Sequence, residues 1–243
     1  MNMNEIIKSL YDRKSVRVFE NQEVDKEIKE EILLAAMQAP SAGCQQLYTI
    51  IDVTDEKLKE DLSKSCDNQP FIATSPMVLV FCADCKKWYD AYLAAGCKPR
   101  KPGTGDFLLA INDTLIAAQN AVVAAQSLGI GSCYIGDIME NYETQQKLLK
   151  LPKYVFPAAL LVFGYPTKQQ SERAKPERCA LKHIVHENAY RLMDDDELKE
   201  MFTFKHPNLS FEKWCTAFCN RKYNSDFSIE MTRSVEEFLK QFR

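Results

Sequence analysis

Three short stretches of this chain carry residue types able to grip an anion or a flat ligand. In the first, Arg13-Lys14-Ser15-Val16-Arg17, three cations and a hydroxyl fall within five residues. Charge-assisted hydrogen bonds from such groups are worth about 1.5–3 kcal/mol each when partly buried, against ~0–1 kcal/mol for a solvated surface pair. The segment is therefore a phosphate clamp or a plain solvated face, and its surroundings decide. In the second, residues 39–46 (APSAGCQQ), the proline stops a helix. The small Ser41, Ala42 and Gly43 let backbone groups approach a flat ligand, and the amide of Gln46 can pair with its edge; an ordinary loop is the alternative. The third, Lys175-Pro176-Glu177-Arg178, offers two further cations on a proline-stiffened loop.

Other motifs exclude chemistry. The glycines of GIGSCYIG (residues 129–136) follow a helix and precede a strand, the reverse of the dinucleotide-binding order, and GxxxxGK[ST] is absent. Cys82-x-x-Cys85 has no second pair at metal-ligand spacing, and His183-x-x-His186 has neither an HExxH pattern nor a clear third ligand. The expectation is no metal and no thiol redox centre.

These stretches must be held by regular elements, and periodicity supplies them. Helices are expected over residues 4–12, 25–39 with Asp25 as N-cap, 55–65, 84–96 and 106–128, then on to about 149. Strands are expected over 47–53, 77–82, 133–135 and 157–165, with MVLVFC reading as buried on both faces. In an extended SVRVF, Ser15 and Arg17 share one side. Past Gly164 the composition turns to Lys, Gln, Glu, Arg and Pro, which reads as an irregular, solvated connection. Helical periodicity returns over 195–204, 211–221 and 228–242. Residues 1–187 then form one domain, and residues 188–243 a helical arm that packs on the core or on a partner subunit.

Composition narrows the class. The 243 residues carry 31 Lys and Arg against 34 Asp and Glu, a net charge of −3, so no basic nucleic-acid footprint exists. With 46% hydrophobic residues the chain can bury a real core, roughly 70–75% of its unfolded surface. Asn112, Asp113, Gln119, Asn120 and Gln126 interrupt the most apolar stretch, which argues for a core helix and against a membrane span. MNMNEIIKSL lacks the apolar run of a signal peptide, and nine cysteines, an odd number scattered through hydrophobic and helical segments, fit a reducing cytoplasm. The alanines of the central helix and the helical tail lead us to expect a dimer.

Taken in order, DRKSVRVF, APSAGCQQ, NQPF, GSCYIGD, LVFGYP and KPER resemble the FMN-dependent nitroreductase family, in particular its flavin-reductase-like branch with a long C-terminal extension. The resemblance spans essentially the whole chain. It implies an α+β fold, a central, mostly antiparallel sheet flanked by helices, in an intertwined homodimer with FMN at the interface. By position, Arg13, Lys14, Ser15 and Arg17 would bind the phosphate, ribityl or pyrimidine edge, with Lys175 and Arg178 as further phosphate cations. Ser41, Ala42, Gly43 and Gln46 resemble the ring-contacting segment supplied by the partner subunit. Asn68-Gln69 resembles the loop whose glutamine reaches the ring, and Tyr134, Ile135, Gly136 and Asp137 the turn that lies along it. Cys44 stands where the family often has asparagine, one ring hydrogen bond fewer.

The implied activity is that of an NAD(P)H-dependent flavin or nitro reductase. NADH or NADPH would hand a hydride to flavin N5, leave, and be replaced by a small-molecule acceptor such as a nitroaromatic, quinone or free flavin. No acid or base from the protein is required. The same residues would also serve a non-catalytic flavin-binding protein for storage or sensing, or a reductive dehalogenase or enone reductase on this scaffold.

Overall fold

The computed structural model describes residues 3–205 and 208–242. Its elements run α1 (Glu5–Asp12), α2 (Lys26–Met37), β1 (Tyr48–Asp52), α3 (Glu56–Ser65), α4 (Pro70–Ala73), β2 (Met77–Asp84), α5 (Lys86–Ala94), α6 (Thr104–Ser127), β3 (Gly131–Ile135), α7 (Tyr142–Leu148), β4 (Val155–Gly164), α8 (Lys168–Glu172), α9 (Asp195–Phe202), α10 (Phe211–Lys222) and α11 (Asp226–Leu239). They form two compact units, one of Met1–Arg173 with Glu230–Arg243, the other Ala174–Ile229.

The four strands make one antiparallel sheet in the order β1-β2-β4-β3. Every residue of β2 and β4 is buried, because helices cover both faces. Alternation sorts the side chains: Met77, Leu79, Phe81, Leu161 and Phe163 pack with α2 and α6, while Val78, Val80, Cys82, Leu160 and Val162 pack with α3 and α4. The layered α+β architecture expected from the sequence is the one observed.

The alanines of α6 correct one expectation. Ala110, Ala117, Ala118, Ala121 and Ala125 are fully buried, and the last four share a core cluster with Ile32 and Ala36 of α2 and with the sheet. Their small size is spent on close packing inside the chain, not on pairing two copies. The helix has the length and hydropathy to cross a membrane, yet its alanine face is given to this core. Its opposite side exposes Leu108, Leu109, Leu115 and Ile116.

Two further departures bear on the site. Residues 14–19 form no continuous strand; Ser15 bridges Ser132 in parallel and Phe19 bridges Pro166 antiparallel. The close approach rests on glycine, since a Cβ on Gly131 would sit 2.7 Å from Val16 Cγ2, and one on Gly164 would sit 2.8 Å from the Phe19 ring. The stretch after Gly164, expected to be irregular, is so except for a 3-10 turn at Leu181–His183 and the five residues of α8, where the Thr167 hydroxyl accepts from the Gln170 N–H and caps the helix.

In the first unit the end of the chain closes the core: Phe238 is fully buried and its ring lies 4.7 Å from Phe156 and 5.1 Å from Phe107. The second unit is built on α9 and α10, where Trp214 stacks on Phe218 at 5.1 Å and lies 5.4 Å from Phe202.

Candidate active site

The N-terminal cationic turn is assembled from three directions. Arg13 ends α1, and its guanidinium lies 5.9 Å from the centre of the Tyr134 ring. Val16 N–H donates to the Ser132 carbonyl at 2.9 Å, which lays the turn along β3. From the far side α8 and its exit reach back: Lys14 Nζ donates to the Ser171 and Arg173 carbonyls, Arg173 Nη2 donates to the Ser15 carbonyl at 2.6 Å, and Gln170 Oε1 accepts from Arg17 N–H at 3.5 Å. Ser15 and Arg17 share one side, as alternation requires, and together with Arg13 they act on the Cys133 thiol. Burial raises that thiol's pKa, and the two arginines pull against the rise.

One detail sets this turn apart. Arg13 Nε and Nη2 are buried and have no hydrogen-bond partner among the described residues. A guanidinium left so would lose the hydration of its donors with nothing in return, a cost of about 1–3 kcal/mol or more for a charged group. An anionic or oxygen-bearing ligand would meet that deficit.

The rest of the first group follows from Arg17, whose guanidinium lies 5.9 Å from the centre of the Phe71 ring. Phe71 belongs to α4, and Gln69 is the residue that caps it. Gln69 Nε2 donates to the Cys66 carbonyl at 2.9 Å and to Asp137 Oδ2 at 3.0 Å. Asn68 beside it adopts a left-handed backbone, φ 51°. Asp137 lies in a 3-10 turn over Gly136–Met139, directly after Tyr134 and Ile135 on β3. A Cβ placed on Gly136 would meet no atom of this chain, so bare backbone faces open space there. The Tyr134 hydroxyl is pushed up to about 12 by burial, with the Arg13 charge opposing, and it donates to Gln119 Oε1 at 3.4 Å. Arg13, Ser15, Arg17, Gln69, Tyr134, Ile135, Gly136 and Asp137 thus form one linked group, with Lys14 tying its edge to the loop after α8.

Residues 41–47 form a second group with its own anchors. Ala42 N–H donates to Asp113 Oδ1 at 2.9 Å and Leu47 N–H to Asp113 Oδ2 at 3.2 Å. The Ser41 hydroxyl accepts from Gln46 N–H at 3.0 Å, Gln46 Nε2 donates to the Met37 carbonyl at 3.3 Å, and Trp88 Nε1 donates to the Gln45 carbonyl at 2.7 Å. Next to Gln45 a cavity of about 280 Å³ opens, walled by Trp88, Tyr89 and Tyr92. Lys175 and Arg178 lie in the second unit, where Arg178 Nη1 donates to the Pro176 and Glu177 carbonyls.

Three contributors escaped sequence reading. Arg173 and Gln170 sit in the stretch read as solvated connection; a cation two residues before Lys175 was the available signal. Asp113 figured only as a polar interruption of an apolar helix. Its signal was stronger, since a carboxylate on a core helix is retained only where partners satisfy it. Cys82 and Cys85 are both buried, which pushes each thiol up to about 12 and leaves no ready thiolate.

The chain belongs to the nitroreductase family, whose model matches residues 10–165. It is 34% identical over 220 residues to the oxygen-insensitive NADPH nitroreductase of Salmonella typhimurium, covering 87% of this chain and 88% of that protein. It is 31% identical over 238 residues to the NAD(P)H FMN reductase of Bacillus subtilis (strain 168), covering 97% and 91%. Its fold matches the NADPH:FMN oxidoreductase from Vibrio harveyi, solved with NAD+, with a TM-score of 0.82 and 24% identity, covering 97% of this chain and 98% of that one.

Proposed function

We propose that this protein is an FMN-dependent NAD(P)H oxidoreductase that reduces nitroaromatics, quinones or free flavins by ping-pong turnover. The observation that carries the reading is the Arg13 guanidinium, with two buried donor nitrogens unmet among the described residues, beside the Tyr134 ring. FMN supplies what that arrangement lacks, an anionic phosphate and an oxygen-rich ribityl and pyrimidine edge. When bound it supplies the hydride chemistry, accepting from NADH or NADPH and passing on to the acceptor.

The chain's own part is binding and orientation. Arg13, Ser15 and Arg17 face the anionic and polar parts, and Lys14 braces them. Tyr134, Ile135, Gly136 and Asp137 offer backbone to the ring, with Gln69 held for it by Asp137. Ser41, Ala42, Gly43 and Gln46 meet the ring held by the other subunit of a homodimer. That dimer is supported by apolar surface with nothing to cover it in one chain: Ile6 and Tyr11 of α1 are 69% and 67% exposed, and Leu108 of α6 is 62% exposed. All nine cysteines are free thiols, which suits a reducing cytoplasm.

The test is an anaerobic titration of the purified protein. A yellow protein whose visible absorbance is bleached by NADH or NADPH, and restored by a nitroaromatic or quinone, is the expected result. Parallel double-reciprocal plots should accompany it. A colourless protein that takes up no FMN, or a yellow one that neither nucleotide bleaches, sinks the reading.

A further inference from the structure

Residues 41–47 hold a costly shape. Gly43, Cys44 and Gln46 all adopt left-handed backbone, with φ of 57°, 57° and 51°. For a residue with a Cβ that conformation costs about 1–2 kcal/mol, and it persists only where the surroundings over-determine it. Ser41, Trp88 and Met37 each supply one hydrogen bond to the stretch. Asp113 does something different, because its two carboxylate oxygens take the N–H groups of Ala42 and Leu47, one at each end.

The side chain doing this is 3% exposed and projects from the middle of α6, whose neighbouring turns are locked into the core by their alanines. A rigid post thus fixes both ends of a strained loop. The chemistry selects a carboxylate, since both of its oxygens accept. Asparagine offers a single oxygen and would turn an amino group toward the second N–H. Serine would reach neither end with two acceptors.

We propose that Asp113 is a positioning residue for the flavin site: its grip sets the left-handed form in which Ser41, Ala42, Gly43 and Gln46 are presented to the ring. This rests on the reading of residues 41–46 as ring-contacting. The grip belongs to the protein alone, so the loop keeps its form whether or not flavin is bound.

The experiment compares full-length wild type with Asp113→Asn, Asp113→Glu and the core variant Val80→Ala, reading amide hydrogen exchange, FMN dissociation constant and Tm. In Asp113→Asn the amides of residues 42 and 47 are expected to exchange at least tenfold faster, and FMN to bind about tenfold more weakly. Asp113→Glu retains both acceptors one methylene further out and should fall between. Val80→Ala lowers Tm with FMN affinity within about twofold of wild type, which separates positioning from general destabilisation. Unchanged exchange at residues 42 and 47 in both Asp113 variants overturns the grip. Faster exchange with undiminished FMN affinity overturns the placement of residues 41–46 at the ring, and leaves the Arg13 side of the site standing. Should neither variant fold, wild type stripped of FMN decides. Slow exchange at both amides supports the grip, and fast exchange means that flavin shapes the loop and refutes it. Wild type that takes up no FMN removes the functional reading itself.

Discussion

The two loops that build the site are finished to different degrees. Residues 13–17 lie against β3 and α8 through hydrogen bonds to backbone, and keep two buried guanidinium nitrogens unmet on Arg13. Residues 41–47 are bound by Asp113, Ser41, Trp88 and Met37, and spend their hydrogen bonds inside the protein. Unmet donors in a buried setting are binding energy held in reserve, whereas a satisfied, strained loop is shape without reserve. On the function proposed above, affinity for a charged cofactor would belong to the first loop and the fit to its ring to the second.

The sharpest way to break this contrast is to remove the reserve. Arg13→Ala should yield protein with at least tenfold weaker FMN binding, read by fluorescence on titrating stripped protein, because charge-assisted bonds worth about 1.5–3 kcal/mol each are lost. Arg17→Ala should act in the same direction. Full flavin content in both variants would move the reserve elsewhere. Gly131→Ala comes next, since its Cβ would press on Val16 at 2.7 Å and lift the first loop off β3. Overpacking of this kind costs about 1–3 kcal/mol, and both Tm and flavin content should fall. Pairing it with Val16→Ala removes the contacts at Cγ1 and Cγ2 but leaves Val16 Cβ at 2.9 Å, so only part of the loss should be recovered; a double variant no better than Gly131→Ala would show that the Val16 methyls are not the cause.

Glu140 tests whether every unmet group near the site serves the ligand. It is 5% exposed, and its Oε1 has no hydrogen-bond partner. Burial first, then the charges of Asp137, Asp67 and Glu230, push its carboxyl up to about 7. The folded protein thus holds this proton more tightly than the unfolded chain does. The group's contribution to stability is complete below about pH 4.5 and is lost as pH rises through about 7. Glu140→Gln should be more stable than wild type at pH 8 by about 1–3 kcal/mol and no more stable at pH 4. Denaturant unfolding at the two pH values decides it. Unchanged flavin content in the variant would confine the binding reserve to Arg13.

The sheet was legible because its signals are local. MVLVFC and AALLVFGY announce strands buried on both faces, and helices that follow from caps and i+4 apolar repeats appear within a residue or two of their expected ends. The cationic turn was legible as chemistry, since three cations in five residues are visible without a fold. What stayed hidden depends on pairs far apart in sequence. Asp113 meets Ala42 across 71 residues, Arg173 meets Ser15 across 158, and nothing in either neighbourhood names its partner. The role of the α6 alanines was misjudged for the same reason, because small residues announce a close neighbour without saying whose backbone it is.

The mildest prediction concerns a carboxylate three residues beyond Glu140 with the opposite environment. Glu143 is paired through both oxygens with Arg233 at 2.9 Å, a bond that holds α7 to α11, and Arg233 also reaches Glu230. Hydrogen bonding to Arg233 holds the Glu143 carboxyl down at about 2. Its contribution is therefore present above the ordinary carboxylate range and lost only as pH falls toward 2. Both side chains are about half exposed, so solvent and salt screen the pair. Arg233→Ala should shift Tm less than Gly131→Ala, and the shift should vanish in about 0.5 M salt, where the Debye length is only a few ångströms. Flavin affinity should not change at all. A loss of FMN in Arg233→Ala would mean that α11 supports the turn carrying Asp137 through α7, and that binding depends on more than the cationic turn.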